Sequence, residues 1–193
     1  MTRIAVFSYA SLVSAASAAL TLGRPVPRPE PATLPGWHRR WSQFRDNLSV
    51  EKTFARAGDG RLPRHVLGLN LEPSAAPAEA PNGALLEVSA AELERLDLRE
   101  LRYDRVEVTN ALATDHGFDL VVAYVAKPEH FAPEAPSDCV VLASYVRAVE
   151  EAFDALGPEE LRRFRETTGP PPVEVIEPVL VKDRIPPGNP RSW

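Results

Sequence analysis

Proline punctuates this chain more than any other residue. Twenty of the 193 residues are proline, and most fall in five runs, 25–35, 73–81, 128–136, 170–178 and 186–190. Inside a helix proline removes a backbone hydrogen bond and clashes with the preceding turn; inside a central strand it breaks the ladder. The five runs are therefore connections and a terminal tail, and regular structure is confined to the segments between them.

The first such segment, Arg3 to Ser8 (RIAVFS), is a nearly unbroken apolar run. It suits a strand buried on both faces at the centre of a sheet. Residues 9–12 read as a small-residue turn. Ser14 is placed to cap a helix that Gly23 stops. A strand–turn–helix corner of this kind offers free backbone N–H groups, which can hold a carboxylate or a developing oxyanion, although a plain turn is the simpler reading.

Trp37–Phe44 alternates Trp37, Arg39 and Trp41 against His38, Arg40 and Ser42. That fits either a half-exposed strand or a cation–π ligand wall. Leu48–Ala55, His65–Leu71 (with Gly68 marking a bulge) and Asn82–Val88 read as further strands. Residues 75–81 form a polar loop. Ser89 with Glu92 three residues on is a capping box, so a short helix starts there. It gives way at Glu100 to a strand from Tyr103. The segments 103–113 and 118–126 pair across the turn at 114–117. Ser137 is read as capping one long helix to Leu156, with Val141, Tyr145, Val149 and Ala152 on its apolar face. Pro158 opens a last helix that Gly169 ends. A strand follows at 173–181.

Strands and short helices outside strict βαβ alternation favour an α+β fold or a mixed barrel with flanking helices. A single domain over 1–182 with an irregular tail at 183–193 is expected. The net charge of −5 argues against nucleic acid as the main partner. No segment is long and apolar enough to span a membrane. The start imitates a secretory signal, but its apolar run is broken by Ser8, Tyr9, Ser11 and Ser14. Asn47-Leu48-Ser49 is a glycosylation sequon, which matters only if the chain is exported.

Chemistry-bearing motifs are few. The single cysteine, Cys139, sits in an apolar run and reads as a buried, inert thiol. The four histidines show no metal-ligand spacing. There is no GxGxxG, Walker or GxSxG motif. Glu100 sits at an element junction, where a carboxylate can be aimed into a cavity; the ordinary alternative is a surface ion pair.

VFSYASL, PGWHRRW and NGALLEVSAAELERLDLRE followed by Tyr103 together resemble the γ-glutamylcyclotransferase-like superfamily. The match runs in order from Phe7 to about Val149. The resemblance implies a small mixed β-barrel flanked by short helices, with no cofactor and no metal. It implies a small-molecule γ-glutamyl substrate whose own α-amine attacks its γ-carbonyl, releasing 5-oxoproline and an amine. Glu100 would be the catalytic general base and acid. The loop of Phe7, Ser8, Tyr9, Ala10, Ser11 and Leu12 would bind the glutamyl part, with backbone N–H groups at Tyr9, Ala10 and Ser11, and Tyr145 would contact substrate. If the first strand and this loop are the site, the start of the chain is retained and a cytoplasmic location follows. Ala10 and Leu101 depart from the usual glycines, which leaves open a catalytically inactive homologue that binds a γ-glutamyl-type ligand. Trp37, Arg39, Trp41 and the 75–81 loop are the expected source of selectivity for the leaving amine. A secreted interaction domain is the third reading.

Overall fold

A computed structural model describes residues 2–113, 115–186 and 189–190. Its elements in chain order are β1 (Ile4–Ser8), α1 (Ala15–Leu22), β2 (Glu30–Thr33), β3 (Trp37–Asp46), β4 (Lys52–Arg56), β5 (His65–Pro73), β6 (Asn82–Val88), α2 (Ala90–Arg99), β7 (Tyr103–Glu107), β8 (Leu120–Ala126), β9 (Cys139–Leu142), α3 (Ala143–Leu156), α4 (Pro158–Thr168), β10 (Val175–Ile176) and β11 (Pro178–Asp183). They form three ladders, in the orders β2-β6-β1-β8-β7, β10-β9-β5-β3 and β11-β4. The class is α+β.

β1 lies at the centre of the five-stranded sheet, antiparallel to β6 and parallel to β8. Its apolar run is continuous because both faces are covered. Ala5 and Phe7 join the main core, with Leu67, Leu69 and Leu71 of β5, Val141 of β9, and Phe153 and Phe164 of α3 and α4. Val6 points the other way, into a second core with Leu22 of α1 and Leu93 and Leu96 of α2. The two-residue period of a strand thus serves two cores at once.

The expected barrel does not close. Among the described residues no ladder joins the two larger sheets. Where β5 meets β8, side chains take up the hydrogen bonds a ladder would have made. Asn70 Oδ1 accepts from the Ala126 N–H (2.8 Å), and the Tyr103 hydroxyl donates to the Leu69 carbonyl (2.9 Å).

Local signals set the helix ends. Ser14 caps α1 by accepting from the Ser17 N–H, and Gly23 closes it in the left-handed region at φ 71°. The capping box of Ser89 and Glu92 opens α2. Gly157-Pro158 and Gly169 bound α4 as expected.

Several expectations are corrected. The long helix from Ser137 is a strand and then a helix: CVVL forms β9, parallel to both β5 and β10, and α3 begins only at Ala143. β-Branched residues in a fully buried slot prefer the ladder to the helix. The proline-rich linker 24–35 contains β2, an edge strand, where Pro31 costs no inner ladder bond. The strand expected at 48–55, read from the sequence as a hairpin partner of the one before it, is β4 and pairs with β11 instead. The strand expected at 173–181 divides into β10 and β11 at Glu177. The two strands expected at 103–113 and 118–126 do pair antiparallel as β7 and β8, but β7 ends at Glu107 and β8 begins at Leu120, so a longer connection with a 3-10 turn at Thr109–Ala111 replaces the tight turn expected at 114–117; residue 114 lies outside the described residues. Residues 187, 188 and 191–193 of the expected tail lie outside them too, and its first residue, Asp183, ends β11.

Asn47, the residue of the sequon, is fully buried. Its Nδ2 donates to the carbonyls of Phe54 and Pro63 (2.8 Å each), and its Oδ1 accepts from the Phe54 N–H (2.9 Å). It is an internal staple for the β3–β4 connection. Replacing Asn47 with Ala leaves these backbone groups unpaired and should cost about 3 kcal/mol. For a chain of this size that lowers the melting temperature by roughly 6–12 °C, measurable by thermal denaturation.

Candidate active site

β1 and β8 run side by side only as far as Val6 and Val122, while β1 remains paired with β6 through Ser8. Beyond Val6 the two parallel strands part, and the chain turns out of both ladders at Tyr9. The amides of Tyr9 and Ala10 therefore lie outside the pairing of β1. A small cavity of about 50 Å³ occupies this gap.

Phe7, Ser8, Tyr9, Ala10, Ser11, Leu12, Glu100 and Tyr145 all line that cavity, so the expected catalytic and glutamyl-binding residues come to one place. α2 delivers Glu100. Its buried Leu93 and Leu96 fix the helix against the sheet, and Glu100 is its C-cap, with the amide bonded to the Leu96 carbonyl at 2.8 Å. The Glu100 side chain is 17% exposed and lies 3.2 Å from Nε of Arg99, whose own side chain is 1% exposed. Arg99 is tied to the other wall of the site through Ser11 Oγ, Ser17 Oγ, Thr21 Oγ1 and the Ser17 carbonyl. Glu100 is thus held by an arginine that is itself anchored to α1 and to the loop before it.

The remaining lining holds residues the sequence reading did not select. Tyr103 and Tyr124 join Tyr9 and Tyr145, so all four tyrosines of the chain face one cavity. Three of the hydroxyls are donors to protein oxygens: Tyr9 to the Tyr124 carbonyl (2.7 Å), Tyr103 to the Leu69 carbonyl, and Tyr124 to Asp97 Oδ1 (2.9 Å). Burial raises the pKa of all four phenols, and the negative charge of Glu100 adds to it. They stay neutral at physiological pH. The one sequence signal for Tyr124 was its position in the apolar run LVVAYVA, where a lone phenol needs a buried partner.

Ser8 is 2% exposed, and its Oγ has no hydrogen-bond partner among the described residues. A buried hydroxyl left without a partner is costly. This one lines the cavity, where a ligand can supply the missing bond.

The small cavity opens on a groove of about 940 Å³, with Ser11, Glu100, Tyr103 and Tyr145 belonging to both. The groove runs between α1 and α3, past Ala16, Ala148 and Ala155, toward Phe54, Leu180 and Ile185. Neither Trp37, Arg39, Trp41 nor the 75–81 loop lines it. The Arg–Trp ladder faces inward instead: Arg39 and Trp41 are buried, because β3 packs against α4. Cys139 is buried in β9, and its thiol pKa is pushed up to about 11 by burial, which leaves it protonated and inert.

Ala10 has φ −144° and ψ −131°, so it lies outside the left-handed region that favours glycine. Leu101 is exposed and lines neither the cavity nor the groove. No described helix is long and apolar enough to cross a membrane.

The fold has solved counterparts. YkqA from Bacillus subtilis superposes with a TM-score of 0.55 at 18% identity, covering 86% of this chain and 54% of that one. The chain thus spans about half the length of YkqA. A γ-glutamyl cyclotransferase superposes with a TM-score of 0.57 at 14% identity, covering 89% and 90%. No family model and no curated protein matches the sequence. The chain shares its fold with YkqA and with this γ-glutamyl cyclotransferase.

Proposed function

We propose that the protein is a γ-glutamyl cyclotransferase, acting on a γ-glutamyl amine or amino acid. The observation that carries this reading is the convergence of Glu100, the Phe7–Leu12 loop and Tyr145 on one cavity beside a long groove.

In this reading the glutamyl end enters the small cavity and the amine portion lies in the groove. Glu100 takes a proton from the substrate's α-ammonium. The freed amine attacks the γ-carbonyl carbon, and the carbonyl oxygen becomes an oxyanion held by loop N–H groups and the unpartnered Ser8 hydroxyl. The C–N bond to the leaving amine breaks as Glu100 returns the proton to its nitrogen, and the second proton of the ring nitrogen passes to Glu100 and departs with the amine as its ammonium. A five-membered lactam, 5-oxoproline, and the free amine remain. Nucleophile and electrophile are parts of one molecule, so holding it folded supplies much of the acceleration. No enzyme nucleophile is called on, in keeping with the inert Cys139.

The test is a panel of γ-glutamyl amino acids, γ-glutamyl amines and glutathione, assayed for 5-oxoproline by mass spectrometry. Release from at least one member is expected. No release from any, with γ-glutamyl ligands still raising the melting temperature, would instead establish a binding protein. Of the two departures that favoured that alternative in the sequence, Ala10 does not occupy the left-handed region and Leu101 lines neither the cavity nor the groove.

A further inference from the structure

Arg39 of β3 is 0% exposed, yet all five guanidinium N–H groups have acceptors. Nε donates to Thr168 Oγ1 (2.9 Å). One terminal nitrogen donates to the carbonyls of Tyr9 and Asn82 (2.9 Å each). The other donates to Asn82 Oδ1 (2.8 Å) and Thr167 Oγ1 (3.2 Å). The rings of Phe164 and Phe153 lie 4.5 and 5.0 Å from its central carbon. Among the described residues no carboxylate oxygen comes within 4 Å of it. The nearest acid is reached through Asn82, whose Nδ2 donates to Glu160 Oε2 (2.7 Å).

A guanidinium sealed from water without a direct counter-ion is a costly way to join two elements, and an apolar side chain packs a core more cheaply. Its contacts show what the charge does here. Of the five acceptors, the Tyr9 carbonyl belongs to the cavity loop. A trans peptide points its C=O and N–H in opposite directions, and the described chain has no cis bonds. With the Tyr9 carbonyl drawn onto Arg39, the Ala10 N–H is turned away from the guanidinium, and Ala10 lines the cavity.

We infer that Arg39 is a positioning residue: its hydrogen bond to Tyr9 locks the Tyr9–Ala10 peptide plane so that the Ala10 N–H is presented to the oxyanion. This rests on the cyclotransferase reading for the identity of the oxyanion. The locked plane itself needs only a ligand that accepts from Ala10. α4 completes the device, since Thr167 and Thr168 hold the same guanidinium from the far side.

Two measurements test it. In ¹⁵N-labelled wild-type protein, the Ala10 amide resonance is expected to shift on adding 5-oxoproline or L-glutamate. An Ala10 amide that neither ligand moves overturns the inference, whatever the variants do. The second measurement compares Arg39→Lys with Phe164→Leu. Lysine keeps the charge but cannot span Tyr9, Asn82 and Thr168 from one nitrogen. Leucine loosens the packing around the guanidinium and leaves its bond to Tyr9. Arg39→Lys is expected to lose on the order of 100-fold in kcat with KM nearly unchanged, and to lose the Ala10 shift. Phe164→Leu is expected to melt lower while keeping both. Activity falling in both variants in step with melting temperature, or an Arg39→Lys protein with wild-type kcat, makes Arg39 purely structural and overturns the inference. Absence of 5-oxoproline from wild type across the substrate panel defeats the cyclotransferase reading instead, and the Ala10 resonance still decides the role of Arg39.

Discussion

Glu100→Gln is expected to lower kcat for 5-oxoproline release by about 10²–10⁴-fold, the range for loss of a general acid–base group. Folding should survive the change. The amide oxygen of glutamine still faces Arg99, and Arg99 remains held by Ser11, Ser17 and Thr21. The stability cost should be on the order of 3 kcal/mol, because Arg99 is buried and loses its carboxylate partner. Circular dichroism and thermal melting check the fold, and product release under saturating substrate checks the rate. Full turnover in the variant would mean that the proton is carried elsewhere. The neutral, buried phenols around the cavity offer no ready substitute.

Gly83→Ala should be the most damaging single methyl that can be added to this chain's site. A Cβ at Gly83 would lie 2.2 Å from the Ser8 carbonyl oxygen and 2.8 Å from Cζ of Phe7. The first is backbone held in the β1–β6 ladder and cannot swing aside. β1 and β6 must part, which costs about 3 kcal/mol or more and carries Ser8 and Tyr9 away from the cavity. Both the melting temperature and 5-oxoproline release should fall. Gly58→Ala is the matched control, because nothing lies within 4 Å of its added methyl. A Gly83→Ala protein that melts and turns over like wild type would show that the close approach of the two strands is not required.

Features of the sequence that act over a few residues foretold the structure well. The Ser14 cap, the Gly23 stop, the Ser89–Glu92 box and the Pro158–Gly169 boundaries all lie where local chemistry puts them. The double-sided burial of β1 was also readable, because a run with no polar alternate has no face to give to water. What escaped were matters of distant pairing. CVVL has helical spacing with Tyr145 and Val149, and only its two parallel neighbours make it a strand. Likewise the alternation in β3 does not say which face is covered. α4, more than 100 residues further on, buries Arg39.

The candidate site divides the same way. Glu100 and the Phe7–Leu12 loop stood out through their resemblance to a known pattern. Tyr103 and Tyr124 did not, because nothing near them in sequence marks a cavity. The groove likewise had no marker in the sequence. Its lining mixes small residues of α1 and α3 with charged residues from distant segments, among them Arg28, Arg45, Glu51 and Arg102, and no local spacing marks them as one surface.

The gathering of every tyrosine at one cavity makes the protein its own reporter. In most chains the phenol signal is an average over scattered rings. Here selective isotope labelling of tyrosine views the cavity and nothing else. Occupancy by an unlabelled, colourless ligand can therefore be followed without mutation or dye, which makes the search for the leaving amine a titration rather than a synthesis.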